Sequence, residues 1–464
     1  MYPHMETQNS LLDSPIAALA TAPGPAGVCV VRVSGEGALE IGDRLVPSAR
    51  SQPSQRDGGT FFHAAITHPL TGERLDDAVI LVYRAPHSYT GEDTVEIQGH
   101  GGSVPARRLL EAALAAGARM AEPGEFTKRA FLNGRLDLTQ AEAVCDFIQS
   151  KTDRAAHVAR AQLDGTLGRQ VVAHYESVTS LCAEVEHLLD FEEGELPGTF
   201  LARTSDRVSA VVVELERLAA TWNEGHLLRD GALVVISGRP NAGKSSLLNA
   251  LLGRDRAIVH ALPGTTRDVI EEGYALEGVP LRLVDTAGLR ETGDAIEQEG
   301  VARARELIQQ ADLTLHLVDQ SAAWDERIAA ETVAPPARRV IVGLTKCDLP
   351  AGGEGRLLPG VSPIRLSVKT GEGLEALKTA MAHALGLDAE SHGQPVVSLR
   401  HVSELRQAVK QGRLAVLALG SGSENMVIAA GHLRESAEAL GRIVGRVYSD
   451  DLLDCIFSRF CVGK

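Results

Sequence analysis

Apolar residues along this chain keep one spacing for a stretch and then switch to another, and each switch predicts a change of architecture. Between about Ser14 and Arg129, short β-rich runs dominate, at residues 26–33, 78–83 and 94–98. Residues 38–45 and 104–116 interrupt them with apolar positions at helical spacing. That mixture predicts a compact α+β domain. From about Arg135 the helical period takes over, in residues 138–148, 155–167, 171–189 and 208–220, with a break at 194–198. Buried strands follow at 232–237, 281–285, 313–319 and 340–344. A linker at 386–395 then leads back to helical spacing at 402–419, 426–447 and 450–460. The simplest arrangement is one discontinuous all-α helical domain built from both flanks, with an α/β domain inserted into it. Two independent helical domains are the alternative. The expected boundaries are 1–129, 130–227, 228–387 and 388–464, the second and last segments making the helical domain.

Composition narrows the class without naming a chemistry. At 464 residues the chain exceeds a single core, in keeping with several domains. No segment approaches the roughly 20 apolar residues that span a bilayer, and Met1 to Ser10 carries no apolar run, so a cytoplasmic protein with no membrane association is expected. Cys29, Cys145, Cys182, Cys347, Cys455 and Cys461 form no Cys-x-x-Cys pair and read as free thiols in a reducing compartment. A net charge of −15 argues against broad electrostatic binding of nucleic acid, and 4% aromatics argue against a base-stacking platform. An RNA substrate would need a partner to supply much of the grip.

The chemistry concentrates in the central segment. Gly238-Arg239-Pro240-Asn241-Ala242-Gly243-Lys244-Ser245 follows a buried strand and precedes an amphipathic run beginning at Ser246. Strand, glycine-rich loop and helix together make a phosphate cradle, because backbone N–H groups and a helix N-terminus converge on the anion. Lys244 is placed to reach the β- and γ-phosphates, and the Ser245 hydroxyl to ligate magnesium. Gly264-Thr265-Thr266-Arg267-Asp268 suits a switch loop whose threonine reaches the metal. Asp285-Thr286-Ala287-Gly288 ends a strand in a carboxylate for the magnesium shell, and the Gly288 N–H can meet a γ-phosphate. In Thr345-Lys346-Cys347-Asp348 the Asp348 carboxylate can accept both N–H groups of guanine, which adenine cannot offer. Ser367-Val368-Lys369 completes the base pocket.

Two positions depart from the usual pattern. Where many small GTPases carry a water-orienting Gln, this chain has Leu289, so another group must position the water, with Glu291, Asp294, Glu297 and Glu299 nearby. Thr345 stands where Asn is commoner before Lys-x-Asp, and weaker binding of an unchanged base is expected. Gly99-His100-Gly101-Gly102 could suggest an oxyanion loop, but no nucleophile motif accompanies it and a turn before a helix explains it. His63, His68, His87 and His100 could be imagined as a metal set, or as solvated strand-end residues.

The five signatures in this order resemble the translation-factor-like GTPases. Over the whole chain the resemblance is to the MnmE (TrmE) family of tRNA-modification GTPases. It is carried by the loop signatures, by Ser88-Tyr89-Thr90-Gly91-Glu92-Asp93, by residues 96–102 and 123–137, and by the terminal Cys461-Val462-Gly463-Lys464. The resemblance implies a homodimer through an N-terminal domain that binds 5-formyl- or methylene-tetrahydrofolate. It also implies a partner using FAD and NADH, MnmG, in a heterooligomer that places an aminomethyl-type group, carboxymethylaminomethyl among them, on C5 of the wobble uridine of certain tRNAs. Carried over position by position, Arg32, Glu96, Arg135 and Lys464 contact the folate. Arg135 stands where the family usually has Lys, and Cys461 lies near that site, catalytic or simply packed. The resemblance likewise implies that potassium is bound by Asn241, His260, Leu262 and Thr265, that Ser245 with Thr266 holds magnesium, and that Glu297 orients the water. Two other readings stay open: a ribosome-assembly GTPase, though no KH-type loop or basic tail is seen, and a non-catalytic GTP-binding scaffold, suggested by Leu289.

Overall fold

The computed structural model of the chain describes residues 14–190, 199–253, 272–285, 306–322, 339–352, 362–387 and 398–464. It divides into two compact units, one made by the chain up to Cys145 together with Gly441–Lys464, the other by Asp146–Leu440.

In the first unit, β1 (Ile16–Leu19), β2 (Val28–Ser34), β3 (Thr60–Thr67), β4 (Arg74–Tyr83), β5 (Thr94–His100) and β6 (Arg119–Met120) form one sheet in the order β3-β4-β5-β2-β1-β6. All its pairings are antiparallel except β1 with β6. Successive side chains in a strand point to opposite faces. Cys29, Val31 and Val33 of β2, with Ile80, Val95 and Ile97, therefore pack on one side against Leu39 and Ile41 of helix Ala38–Leu45 and Leu109 of helix Ser103–Ala115. The alternate positions share the other side, where the β2/β5 register sets Arg32 directly across from Glu96. The expected strands and helices of this unit are present. β1, β3 and helix Glu125–Leu132 add to them.

The Gly-His-Gly-Gly run is the end of β5 and the turn into helix Ser103–Ala115. His100 pairs through Nδ1 with Asp76 at 2.7 Å, and this partner, together with burial acting the opposite way, leaves its pKa raised. Further along, Phe131 and Leu138 pack with Leu453, Phe457 and Phe460 of the terminal segment. The backbone at Gly463 (φ +100°) runs so close to β1 that a Cβ there would stand 2.4 Å from the Leu19 carbonyl oxygen. The chain end is thereby laid against the sheet.

The second unit holds β7 (Ala232–Gly238), β8 (Glu272–Leu276), β9 (Val279–Asp285), β10 (Leu313–Asp319), β11 (Val340–Thr345) and β12 (Ile364–Arg365), ordered β12-β11-β10-β7-β9-β8. Every pairing is parallel except the β8/β9 hairpin. Val234 and Ile236 of β7 lie in a core with Leu247 and Leu251 of helix Lys244–Leu252 and Leu377 and Met381 of helix Leu374–Leu385. Continuous burial along β7, residue after residue, is the mark of a strand covered on both faces.

Helix Phe200–Ala220, before this sheet in sequence, lies beside helix Leu399–Gly420, which follows it: a Cβ at Gly412 would stand 2.6 Å from Val212 Cγ2. Arg413 pairs with Glu216 at 2.6 Å, and the Ser436 hydroxyl donates to the Ala408 carbonyl at 3.0 Å. The two flanks therefore make one discontinuous helical domain into which the α/β domain is inserted, and independent helical domains are set aside.

Candidate functional site

β7 sits between β10 and β9, with strands feeding out to either side, and ligands of open α/β sheets bind beyond the carboxyl ends of such strands. There the loop from Gly238 turns into helix Lys244–Leu252. Gly238 has φ +140°, and a Cβ on it would lie 2.4 Å from the Leu317 carbonyl oxygen, so only glycine lets the loop leave the sheet here. Asn241 takes φ +62° and is exposed. Ala242 is buried, with Gly243 at φ +91° before the helix. Lys244 is buried and folds back so that Nζ donates to the carbonyls of Gly238 (3.0 Å) and Arg239 (2.8 Å). Ser245 Oγ donates to Asp285 Oδ2 at 2.7 Å, which sets a hydroxyl and a carboxylate side by side, the hard oxygen donors magnesium favours. Ser246, next on the helix, is exposed.

The base side is built from the ends of β10, β11 and β12. Thr345 is 4% exposed, and its hydroxyl lies 2.8 Å from the Ala242 carbonyl and 3.2 Å from that of Val318. The residue that departs from the common Asn thus tethers the phosphate loop to two strands. Lys346, at φ +57°, pairs with Asp319 Oδ2 at 2.5 Å. Burial pushes the Asp319 pKa up, but hydrogen bonds from Lys346 and Ser321 outweigh it and leave a carboxylate below its ordinary range. Ser367 Oγ donates to Asp348 Oδ1 at 2.8 Å and so orients the carboxylate expected to read guanine. Val368 and Lys369 follow in the same turn. Asp319 belongs to none of the nucleotide-binding signatures; the signal the sequence offers for it is its place at the end of a buried strand.

Thr265, Thr266, Thr286, Ala287, Gly288, Leu289, Glu297, His260 and Leu262 lie outside the described residues.

A second constellation occupies the other face of the N-terminal sheet. Arg32 Nε donates to Glu96 Oε1 at 2.8 Å, and both side chains are 14% exposed. The Lys464 ammonium is half-buried within electrostatic reach of both; burial, then Arg32, push its pKa down while Glu96 pushes it up. Arg32 Nη1 is buried with no hydrogen-bond partner among the described residues. Since buried donors are rarely left unpaired, an outside acceptor fits there. Arg135 is placed through its stem, whose Cγ lies 3.2 Å from where a Gly91 Cβ would stand. Cys461 is exposed, and its carbonyl accepts from the Gly124 amide at 3.5 Å.

Among the described residues no helix is long and apolar enough to cross a membrane. Comparison with known proteins gives a consistent picture. The family model of the MnmE helical domain matches residues 138–461, and that of the GTP-binding protein TrmE N-terminus matches residues 15–135. A tRNA modification GTPase MnmE from Geotalea uraniireducens is 40% identical over 97% of this chain and 99% of its own length. Another from Symbiobacterium thermophilum is 44% identical over the same shares. Among solved structures, the G domain of the T. maritima FeoB iron transporter is 26% identical over 33% of this chain and 98% of its own, with a TM-score of 0.24.

Proposed function

This chain belongs to the MnmE family of tRNA modification GTPases, and from that premise we propose that it couples potassium-activated GTP hydrolysis to folate-dependent modification of C5 of the wobble uridine in certain tRNAs. The GTP hydrolase itself follows from family membership, and magnesium dependence belongs to GTPases generally. The observation that carries the folate part of this reading is that Arg32 and Glu96 pair beside the half-buried terminal Lys464, with a buried guanidinium N–H left for a ligand.

In this reading residues 1–129 bind the folate and dimerise, 130–227 with 388–464 form the helical domain, and 228–387 turn over GTP. The Gly238–Gly243 backbone and Lys244 take the phosphates, releasing the Lys244 contacts to the loop carbonyls. Ser245 and Thr266 hold magnesium. Asn241, His260, Leu262 and Thr265 hold potassium, which would offset charge developing between the phosphates; the exposed Asn241 fits such a role. Glu297 orients the water that Leu289 cannot, and Asp348 selects guanine. Arg32, Glu96, Arg135 and Lys464 bind the folate, which supplies a one-carbon unit, with Cys461 beside them. The flavoprotein MnmG, using FAD and NADH, completes the complex on tRNA in the cytoplasm.

The test is GTP turnover by the full chain in potassium against sodium buffer, with Asn241→Lys alongside. Strong potassium stimulation, lost in the variant, is expected. Equal rates in the two salts would sink the cation-activated mechanism.

A further inference from the structure

The stretch from Ser88 to Asp93 and the segment around Phe126 are given no task by the reading above, yet both converge on Arg32. The Arg32 guanidinium carbon lies 5.5 Å from the ring centroid of Tyr89 and 5.5 Å from that of Phe126, within the reach of a cation–π contact to each ring. Tyr89 is itself held from behind: its hydroxyl lies 2.9 Å from Thr127 Oγ1, on the helix that carries Phe126, and Thr127 is fully buried. The loop around Tyr89 is braced by a polar network. Ser34 Oγ lies 2.7 Å from Thr90 Oγ1 and 2.9 Å from Glu92 Oε2; Arg129, 2% exposed, pairs with Glu92 at 3.2 Å; Asn133 donates to the Thr90 carbonyl at 2.8 Å.

Arg32 is therefore restrained at three points, two rings and the Glu96 carboxylate, while Nη1 remains buried and unsatisfied. A long side chain held this way has given up its rotamer freedom before any ligand arrives. We propose that Tyr89 is a positioning residue: with Phe126 it forms an aromatic clamp that fixes the Arg32 guanidinium so that Nη1 is presented to an acceptor atom of the folate. The inference rests on the folate reading of this site and assigns the Ser88–Asp93 loop its task within it.

The test titrates 5-formyltetrahydrofolate into the full chain by calorimetry, comparing Arg32→Ala, Tyr89→Leu, Tyr89→Phe and the double variant Arg32→Ala/Tyr89→Leu, with a thermal midpoint for each. Tyr89→Leu is expected to weaken binding roughly two- to thirtyfold, the range of a partly to fully desolvated cation–π contact. Tyr89→Phe keeps the π face and should bind within about twofold of the parent chain, the scale of a weak cross-contact. Because Tyr89 acts through Arg32, the double variant should bind no more weakly than Arg32→Ala alone, whereas a merely structural role would make the two losses multiply. Should Tyr89→Leu not fold, Tyr89→Met fills the space without a π face and replaces it. Parent-like affinity in Tyr89→Leu, or multiplying losses, overturns the assignment. No binding by the parent chain, or no effect of Arg32→Ala, overturns the folate reading and the clamp with it.

Discussion

Replacing Thr345 by Val removes one hydroxyl and almost no volume, which isolates what the tether to the phosphate loop contributes. The hydroxyl proton is directed at the Ala242 carbonyl at 2.8 Å, with Val318 second at 3.2 Å, in a site 4% exposed. An ordinary hydrogen bond is worth about 0.5–1.5 kcal/mol net, and a buried carbonyl left without its donor raises the loss to about 1–3 kcal/mol. If the tether holds the loop in its phosphate-cradling form before nucleotide arrives, that loss reappears as affinity, roughly 5- to 150-fold for GDP and GTP alike. Most of it should show as faster release. The assay is a titration with a fluorescent GDP analogue and its stopped-flow release rate, paired with the thermal midpoint of the nucleotide-free chain. A lower midpoint with affinity unchanged within about twofold would refute the reasoning, because the bond would then stabilise free and bound loops equally.

Two further outcomes follow from the same geometry. Gly238→Ala would force a Cβ to 2.4 Å from the Leu317 oxygen at φ +140°; nucleotide binding is expected to be lost, and the same titration showing affinity within about fivefold of the parent would contradict the close approach. Glu125 is 3% exposed and bonds Arg119 (Nη1 to Oε2, 2.7 Å) and Arg129 (3.0 Å). Burial raises its pKa, but those partners and the Glu122 amide outweigh it, leaving it below the usual carboxylate range. A depressed carboxylate stabilises above its unfolded pKa and loses that contribution as pH falls through the folded value. Glu125→Gln should therefore lower the unfolding free energy read from a urea titration at neutral pH, by up to about 3–5 kcal/mol, the cost of breaking a buried ion pair from one side, with Arg129 keeping its pairing to Glu92, and the gap should narrow in acid below the ordinary carboxylate range. A gap that stays constant with pH would show that the charge is not what matters.

Much of this molecule could be read along the chain, and what could be read shares a physical property. A phosphate loop uses the backbone of consecutive residues, so Gly238 to Ser245 announces itself as a string. Helices that bury one stripe repeat it every turn, and helix Ala38–Leu45 lies where its spacing put it. Helix Glu125–Leu132 hid because it buries Glu125, Thr127 and Arg129 beside its apolar residues, which erases the stripe. β3 hid because Phe61, 74% exposed, breaks the inward-apolar alternation. Residues 155–167 read as one run, whereas helix Asp153–Leu163 ends before a turn at Asp164 and Gly165.

What only the tertiary structure decided is which distant residues meet. Nothing local to Lys464 says that it lies by Arg32 and Glu96; that depends on the terminal segment packing on Phe131 and on the backbone at Gly463 lying against β1. The clamp of Tyr89 and Phe126 around Arg32 likewise joins three separate segments, and the pairing of helices Phe200–Ala220 and Leu399–Gly420 spans an inserted domain. Local sequence specifies periods, turns and loops through short-range sterics and backbone hydrogen bonding. Long-range closure is selected by packing and burial over the whole chain, and for that reason the residue types were legible while their meeting places were not.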